Sequence, residues 1–518
     1  MSFNDGLIRK ISSMAERLEH RGELLHVATS RDQFVDLVDI IHKVGGRLVS
    51  LHATDERATA ESFMMYAILD HDGCLIEVVS PVWDGVPFQS LVPRVHAANW
   101  YEREIQDMFG LTPHGHPDPR PLVLYDDWPQ DTFPLRKDFD SSIDIPRIPR
   151  EYKYRHMEGD GVFEIPVGPV HAGVIEPGHF RFSVAGEPIM ALEIRLGYVH
   201  RGVEKLSETM PYHKGVILAE RISGDTSAAH SAAYCQSVEQ LFEIKAPERA
   251  EYIRTIILEL ERLYNHLGDI SGIALDTAFA VPAADGYVLR ERVLELNEWL
   301  TGSRLLRSIN TIGGVNKDID RDKSAKLLSH LVDLRLQFER LSSTMMSSVS
   351  MLDRVEGTGI LSKENARSLG CVGPIARASG VDIDTRRDHP YAAYPDMSFR
   401  IPLQKSGDVY ARTVVRIDEV RESFAIIEQA LDRIPNGSIC TEFTGAPIKT
   451  TALSLVEASR GELMHWMIGE EEKPFRHKIR DPSFCNWLGL ELAVRGDIVP
   501  DFPLVNKSFS LSYAGNDL

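Results

Sequence analysis

The chain has 518 residues, 43% of them hydrophobic and 26% charged, which is enough for two or more domains with sizeable cores and typical of an ordinary soluble globular protein. Its 57 Lys and Arg against 76 Asp and Glu leave a net charge of -19, which argues against a general nucleic-acid surface, because phosphate binding rests on clustered positive charge. Neither G-x-G-x-x-G nor G-x-x-x-x-G-K-[ST] occurs, so no loop to cradle a dinucleotide or nucleotide phosphate is expected.

No apolar run approaches the ~20 residues that cross a bilayer, and Met1-Ser2-Phe3-Asn4-Asp5 lacks the basic and apolar regions of a signal peptide. A cytoplasmic location follows as an expectation, with docking onto membrane partners left open. The five cysteines, Cys74, Cys235, Cys371, Cys440 and Cys485, are scattered and odd in number. They offer no local ligand pair for an iron-sulfur cluster or structural zinc, and read as buried thiols.

Residues 1–140 read as a small α/β domain. Glu23 to Val27 is an expected strand, and Ser30 or Asp32 can cap a helix with Phe34, Leu37, Ile40 and Ile41 at helical spacing. Phe63–Leu69 and Cys74–Val79 flank Asp70-His71-Asp72-Gly73, a hairpin turn. Then come three dense blocks, Trp100 to Gly110, Gly115-His116-Pro117-Asp118 and Pro134 to Phe139. His114 and His116 form a His-x-His, read as a turn held by side-chain hydrogen bonds rather than a metal site. In order and spacing these blocks resemble the signature of the 30 kDa peripheral-arm subunit of respiratory complex I, in which they are structural.

Residues 141–165, with Pro146, Pro149 and no periodicity, read as a linker. A domain over 166–518 opens with Val167-Gly168-Pro169-Val170-His171-Ala172-Gly173, followed by a hairpin of Phe180–Val184 and Ile189–Leu196. Helical periodicity then runs to about residue 355, with a face of Ile253, Ile256, Ile257, Leu260 and Leu263 and long segments near 287–310 and 323–352, best packed as an antiparallel bundle. Ser362 can cap a short helix stopped by Gly370, Arg412–Leu431 is another helix, and strand and loop are expected after Thr451. The fold class is therefore α+β: a small α/β domain, then a larger one with a central helix bundle and peripheral β hairpins.

The second domain resembles the large subunit of hydrogenase-4 and formate hydrogenlyase-type nickel-iron hydrogenases, and its relative, the 49 kDa quinone-site subunit of complex I. The resemblance is carried by the Gly-Pro-x-His opening, Gly197-Tyr198-x-His200-Arg201-Gly202-x-Glu204, Glu259-Leu260-Glu261-Arg262-x-x-Asn265-His266, Gly407 to Arg412, Glu457-x-x-Arg460-Gly461-Glu462 and Lys478-Ile479-Arg480-x-Pro482-Ser483-Phe484. It implies that Ser223, Thr226, Ser512 and Gly515 stand where a nickel-iron enzyme has two Cys-x-x-Cys pairs. Asp481-Pro482-Ser483-Phe484-Cys485 is a rival for the second pair, but the last nine residues fit it better. A nickel-iron centre needs soft thiolates, and hydroxyls and Gly supply none. The chain stops at Leu518 without the extension that many such hydrogenases cleave after metal insertion, in keeping with no metal being loaded.

By the same resemblance a quinone head group takes the vacated cavity, with His179 facing it and Ser223 and Thr226 beside it; a His can donate to a carbonyl oxygen and pass a proton. Asp225 and His230 are the further proton-capable candidates. The Tyr that is the second quinone ligand in complex I has no aligned counterpart, Tyr234 being the nearest. Arg262 and His266 fall near a 4Fe-4S cluster held by a partner subunit, and Glu204, Arg460 and Ser512 line the cavity. The expected whole is a redox subunit of an NADH:quinone oxidoreductase or hydrogenase-4-like complex, peripheral on the cytoplasmic face of the inner membrane. Its partners are a small iron-sulfur subunit, antiporter-like membrane subunits and a quinone as substrate, with no nucleic acid and no cofactor or metal on this chain alone. The alternatives are a non-catalytic scaffold in such a complex and an active nickel-iron hydrogenase.

Overall fold

The computed structural model describes residues 5–21, 24–172 and 175–518. Glu23 of the expected first strand and Gly173 of the Gly-Pro-x-His opening lie outside them. Strands β1 (Arg17–Arg21), β2 (Leu24–Ala28), β3 (Arg47–Glu56), β4 (Ser62–His71) and β5 (Cys74–Val82) form a sheet of order β1-β2-β5-β4-β3, in which only β2 and β5 run parallel. His71 pairs with Cys74 across Asp72 and Gly73, both at positive φ (52° and 75°), the turn that an Asp-Gly pair makes with least strain. Helix α1 (Arg31–Lys43) lays Phe34, Leu37, Val38 and Ile41 on the sheet; Ser30 occupies its cap position without a side-chain capping bond.

The motif-dense region is structural. Helix α2 (Asn99–Phe109) buries Trp100, Tyr101 and Ile105, and Asp107 accepts the amides of Leu122, Val123 and Leu124. His116 holds a turn, its Nδ1 accepting from the Asp118 amide at 2.9 Å and its Nε2 meeting the Asn99 carbonyl at 3.1 Å. Residues 140–161 form neither helix nor strand, and Tyr152 pins them by lying 3.9 Å under the Arg195 guanidinium.

Next is an antiparallel sheet of β6 (Val162–Val167), β7 (His179–Ala185) and β8 (Ile189–Arg195), in the order β8-β7-β6. β6 corrects the sequence reading, which gave 162–165 to the linker: Pro166 and Glu164 disguise a strand, but an edge position tolerates both. The helices follow as α3 (Val203–Ser207), α4 (Ser227–Phe242), α5 (Glu248–Asp276), α6 (Ala280–Thr301), α7 (Arg321–Met346), α8 (Lys363–Ser368) and α9 (Val409–Arg433). α5, α6, α7 and α9 pack as the expected bundle. α6 begins and ends earlier than its apolar pattern, stopped by Gly302 at φ 86°, and the segment expected over 323–352 breaks where Ser348 caps a new turn by accepting from Met351. The Ser362 cap on α8 is present, its side chain accepting from the Asn365 amide.

A meander of β9 (Thr451–Ala458), β10 (Gly461–Gly469) and β11 (Pro474–Arg480) is followed by α10 (Pro482–Ala493), α11 (Phe502–Phe509) and α12 (Tyr513–Asp517), where strand and loop were expected. α10 is buried nearly all round, including Phe484, Asn486, Trp487 and Leu490, so it lacks an amphipathic period. The meander covers the second face of the N-terminal sheet: Val49, Tyr66, Ile68 and Val79 pack on Leu455, Met464 and Trp466. Polar bonds fix the contact, with Arg47 bidentate on Glu462 at 2.8 Å, Lys478 on Glu104 at 2.7 Å, and Trp466 Nε1 donating to Glu77 at 2.8 Å. Of the cysteines only Cys235 and Cys371 are buried, and Cys440 is exposed, against the expectation for all five. Among the described residues no helix is long and apolar enough to cross a membrane.

Candidate functional site

The turn before α4 and the turn before α12 meet. Ser223 Oγ lies 2.9 Å from Ser512 Oγ across 289 positions of sequence. The protons are ordered: the Gly515 amide donates to Ser512 Oγ at 2.9 Å, and Ser223 donates to Asp225 Oδ1 at 2.8 Å, so Ser512 donates to Ser223. Both hydroxyl protons are used, and each oxygen keeps one lone pair. Thr226 is 1% exposed and its hydroxyl has no hydrogen-bond partner, a costly state for a buried donor.

Arg460 reaches this turn from the β9–β10 loop, bidentate on Asp225 at 2.9 and 2.6 Å, and its Nε donates to the Ser510 carbonyl. Tyr264 and Asn265 of α5 donate to the Asp225 carbonyl at 2.7 and 2.8 Å. Burial pushes the Asp225 carboxyl up, but the Arg460 guanidinium outweighs it and brings the pKa down to about 2. Asp225 is therefore held as a carboxylate near neutrality. It is the anchor that ties Arg460 to the hydroxyl pair.

The nickel-iron fit fails on this geometry. Ser223 and Ser512 are hydroxyls bonded to each other, and a Cβ at Gly515 would stand 2.5 Å from Asp481 Oδ2. Gly515→Ala is therefore expected to destabilise the fold by about 1–3 kcal/mol and to loosen Asp481, whereas Gly224→Ala, with Arg307 Nη2 3.6 Å away as its nearest neighbour, is tolerated. Thermal melting of the two variants checks this.

Known families match along most of the chain. The family described as "Respiratory-chain NADH dehydrogenase, 49 Kd subunit" spans residues 276–451 and 441–517, and its 30 Kd counterpart spans 27–144. Formate hydrogenlyase subunit 5 of Escherichia coli K12 is 38% identical over 492 residues, 92% of this chain and 86% of the relative. The chain belongs to the fused 30 kDa/49 kDa family of complex I-type subunits. In the same family, the C/D subunit of the NADH-quinone oxidoreductase of Phocaeicola vulgatus is 32% identical over 497 residues, 90% of this chain and 93% of the relative. Among solved structures, a chain of the membrane-bound sulfane sulfur reductase, an archaeal respiratory membrane complex, aligns at TM-score 0.66 and 29% identity, covering 70% of this chain and all of that one.

In this family member, His179 makes no hydrogen bond to the hydroxyl pair. His179 and Arg181 share the face of β7 turned to the Tyr154 ring, while Phe180 faces Trp487 and Phe502. His179 Nδ1 meets the Gly168 carbonyl at 3.4 Å, and its Nε2 is buried without a partner. The histidine beside the C-terminal turn is His171, whose Nε2 lies 3.2 Å from the hydroxyl of Tyr513, next in sequence to Ser512. Tyr234 donates to the Tyr212 carbonyl. Glu204 binds Arg476 at 2.7 Å, Lys478 at 3.2 Å and the Ile479 amide.

His230 is fully buried, its Nε2 3.1 Å from Asp481 and its Nδ1 3.1 Å from His465. Arg262 and His266 are buried in the bundle: Arg262 donates to the Glu457 and Ala458 carbonyls, and His266 Nε2 sits 2.8 Å from Glu419. Sequence reasoning passed over Glu261, which accepts the Ala228 and Ala229 amides at the start of α4. Burial raises its pKa to about 8 against those two bonds. The folded state thus holds a proton that the unfolded chain releases above its ordinary 4.5, and the stabilisation present at low pH is lost as the pH rises to about 8. Glu261→Gln is expected to flatten that part of the melting temperature against pH curve.

Proposed function

We propose that this chain is the redox subunit of a membrane-associated, complex I-like assembly. It takes electrons from a 4Fe-4S cluster on a small iron-sulfur partner and passes them to a quinone or similar acceptor beside the meeting of the Ser223 and Ser512 turns. The observation that carries this reading is the set of three hydroxyls at the meeting of those turns. Thr226 is a donor without a partner, suited to a carbonyl oxygen, while Ser223 and Ser512 offer only lone pairs, suited to the hydroxyl of a reduced ring. Donors and acceptors of this kind suit both redox states of an acceptor that gains protons with its electrons.

The family relationship supports the assembly: its relatives include C/D subunits of NADH-quinone oxidoreductases and a formate hydrogenlyase subunit. NADH, where it is the donor, is oxidised on another chain, since no dinucleotide loop occurs here. Antiporter-like membrane subunits would use the energy released, with this chain peripheral on the cytoplasmic side. His266, bonded to Glu419 inside the bundle, would respond to the partner's cluster through its field rather than by contact.

The test is quinone reduction by the purified, assembled complex under a low-potential donor, with nickel and iron measured on the same sample. Quinone-dependent turnover with iron and no nickel is expected, and Thr226→Val should raise KM about tenfold or more, the loss of one hydrogen bond to the acceptor. Turnover unchanged in Thr226→Val and in Ser512→Ala would favour the scaffold reading. One feature already suits a scaffold: Ser223, Ser512 and Asp225 satisfy one another without a ligand.

A further inference from the structure

Behind the hydroxyl pair runs a row of three buried histidines. His230 Nδ1 lies 3.1 Å from His465 Nε2, and His465 Nδ1 lies 3.0 Å from His477 Nε2. The inner end is Asp481 Oδ2, 3.1 Å from His230 Nε2, and the outer end is Ser207 Oγ, 2.7 Å from His477 Nδ1. All three rings are at most 1% exposed. Asp481 accepts at the inner end, so each bond can run the same way, with Ser207 O–H and then each Nε2–H donating inward.

We propose that His477, His465 and His230 form a proton relay from the surface to the Gly515 corner of the candidate site. The inner terminus is at that corner, because Asp481 Oδ2 is the atom that leaves no room for a Cβ on Gly515. The outer terminus, Ser207, precedes Glu208, which lines an open cleft with Lys137, Lys205 and Phe475. One step takes a proton at His477 Nδ1 and releases another from His230 Nε2 to Asp481. Each imidazole gains a proton on Nδ1 and loses one from Nε2, so no ring is left charged. Ser207 recovers its proton from solvent, and the rings turn back to their Nε2–H forms before a second proton passes. A relay of neutral rings suits this interior. Burial, with the neighbouring imidazoles, holds His465 well below the usual histidine range; burial also lowers His477, to about 3, against the pull of Glu204. Arg476 and Lys478 face the same ring and oppose its charging.

The relay rests on the reading that an acceptor is reduced at this site, since a quinone takes two protons with its two electrons. It has a function a purely packing role lacks: three apolar side chains would fill the same space without needing every ring nitrogen bonded.

Two measurements separate the relay from the quinone reading. In the full chain labelled with 15N-histidine, NMR at neutral pH should find His465 and His477 as neutral Nε2–H tautomers; a charged ring or an Nδ1–H tautomer at either overturns the relay. In the assembled complex, His465→Gln keeps a donor and an acceptor but cannot exchange a proton between two ring nitrogens. It should slow quinone reduction roughly tenfold or more and raise the solvent deuterium isotope effect. Ser207→Ala, which leaves the three rings in place, should move both in the same direction and carries the kinetic test if His465→Gln does not assemble. An unchanged rate, or a slower rate with an unchanged isotope effect, overturns the relay and leaves the quinone reading intact. If the wild-type complex reduces no quinone, the quinone reading falls, and the tautomer result alone decides the relay.

Discussion

Arg377→Ala is expected to cost the fold about 3–5 kcal/mol, seen as a lower denaturant midpoint with an unchanged slope. The guanidinium is fully buried and bonds Glu419 at 2.8 Å, Glu457 at 2.8 Å and the Ile383 carbonyl at 2.9 Å, with Asp384 at 3.3 Å. Its removal leaves three carboxylates in a buried cluster with Arg262 and Arg386 as the neighbouring counter-charges. Coulomb attraction between buried charges is strong, but it only offsets the cost of drying them; taking one away exposes that cost. Arg400 provides the control. Its side chain is 84% exposed where it pairs with Glu422, and Arg400→Ala is expected to cost under about 1 kcal/mol. A similar loss in both variants would mean that the interior cluster contributes nothing beyond a surface pair.

Trp466→Ala should cost a comparable amount, about 3–5 kcal/mol, and should lower a single unfolding transition rather than split it in two. The indole is fully buried between the two sheets, with ring centroids 4.5 Å from His52 and 4.8 Å from Tyr66. Its Nε1 also satisfies Glu77, which is itself fully buried, so the substitution opens a cavity and removes a donor together. Trp299, 38% exposed with Lys326 4.4 Å from its ring, should lose under about 1 kcal/mol on the same change. Two separated transitions in Trp466→Ala would show that the sheets fold independently of each other's support.

Much of the fold is legible locally. The hairpins over 62–82 and 179–195 are written in period-two alternation, and the cap at Ser362 stands just before its short helix, whereas the Asp408 cap is missed and its helix begins at Val409 rather than Arg412. What is not legible lacks a local period: β6 carries Pro166, and α10 is buried on all sides. The site divides the same way. Motifs mark Ser223, Ser512 and Arg460, and the structure brings them together. His179 and Phe180 alternate on β7, and it is Phe180 that packs on Trp487 and Phe502. His465, His477 and Asp481 have no mutual spacing in sequence to suggest a row, and Asp481 opens a motif that competes with the C-terminal one. Only the pairing of β10 with β11, which sets His465 beside Ile479 and His477 beside Met467, aligns two of the rings.

The stretch 140–161 has no helix or strand of its own, yet it joins two bodies already held by Arg47 on Glu462, Lys478 on Glu104 and the Trp466 wedge. Cutting it would remove no part of that contact. It would convert an intramolecular association, with an effective concentration in the millimolar range, into a bimolecular one that depends on how much of each half is present. The tether's contribution is stoichiometry: each large domain is supplied with one small domain at every dilution.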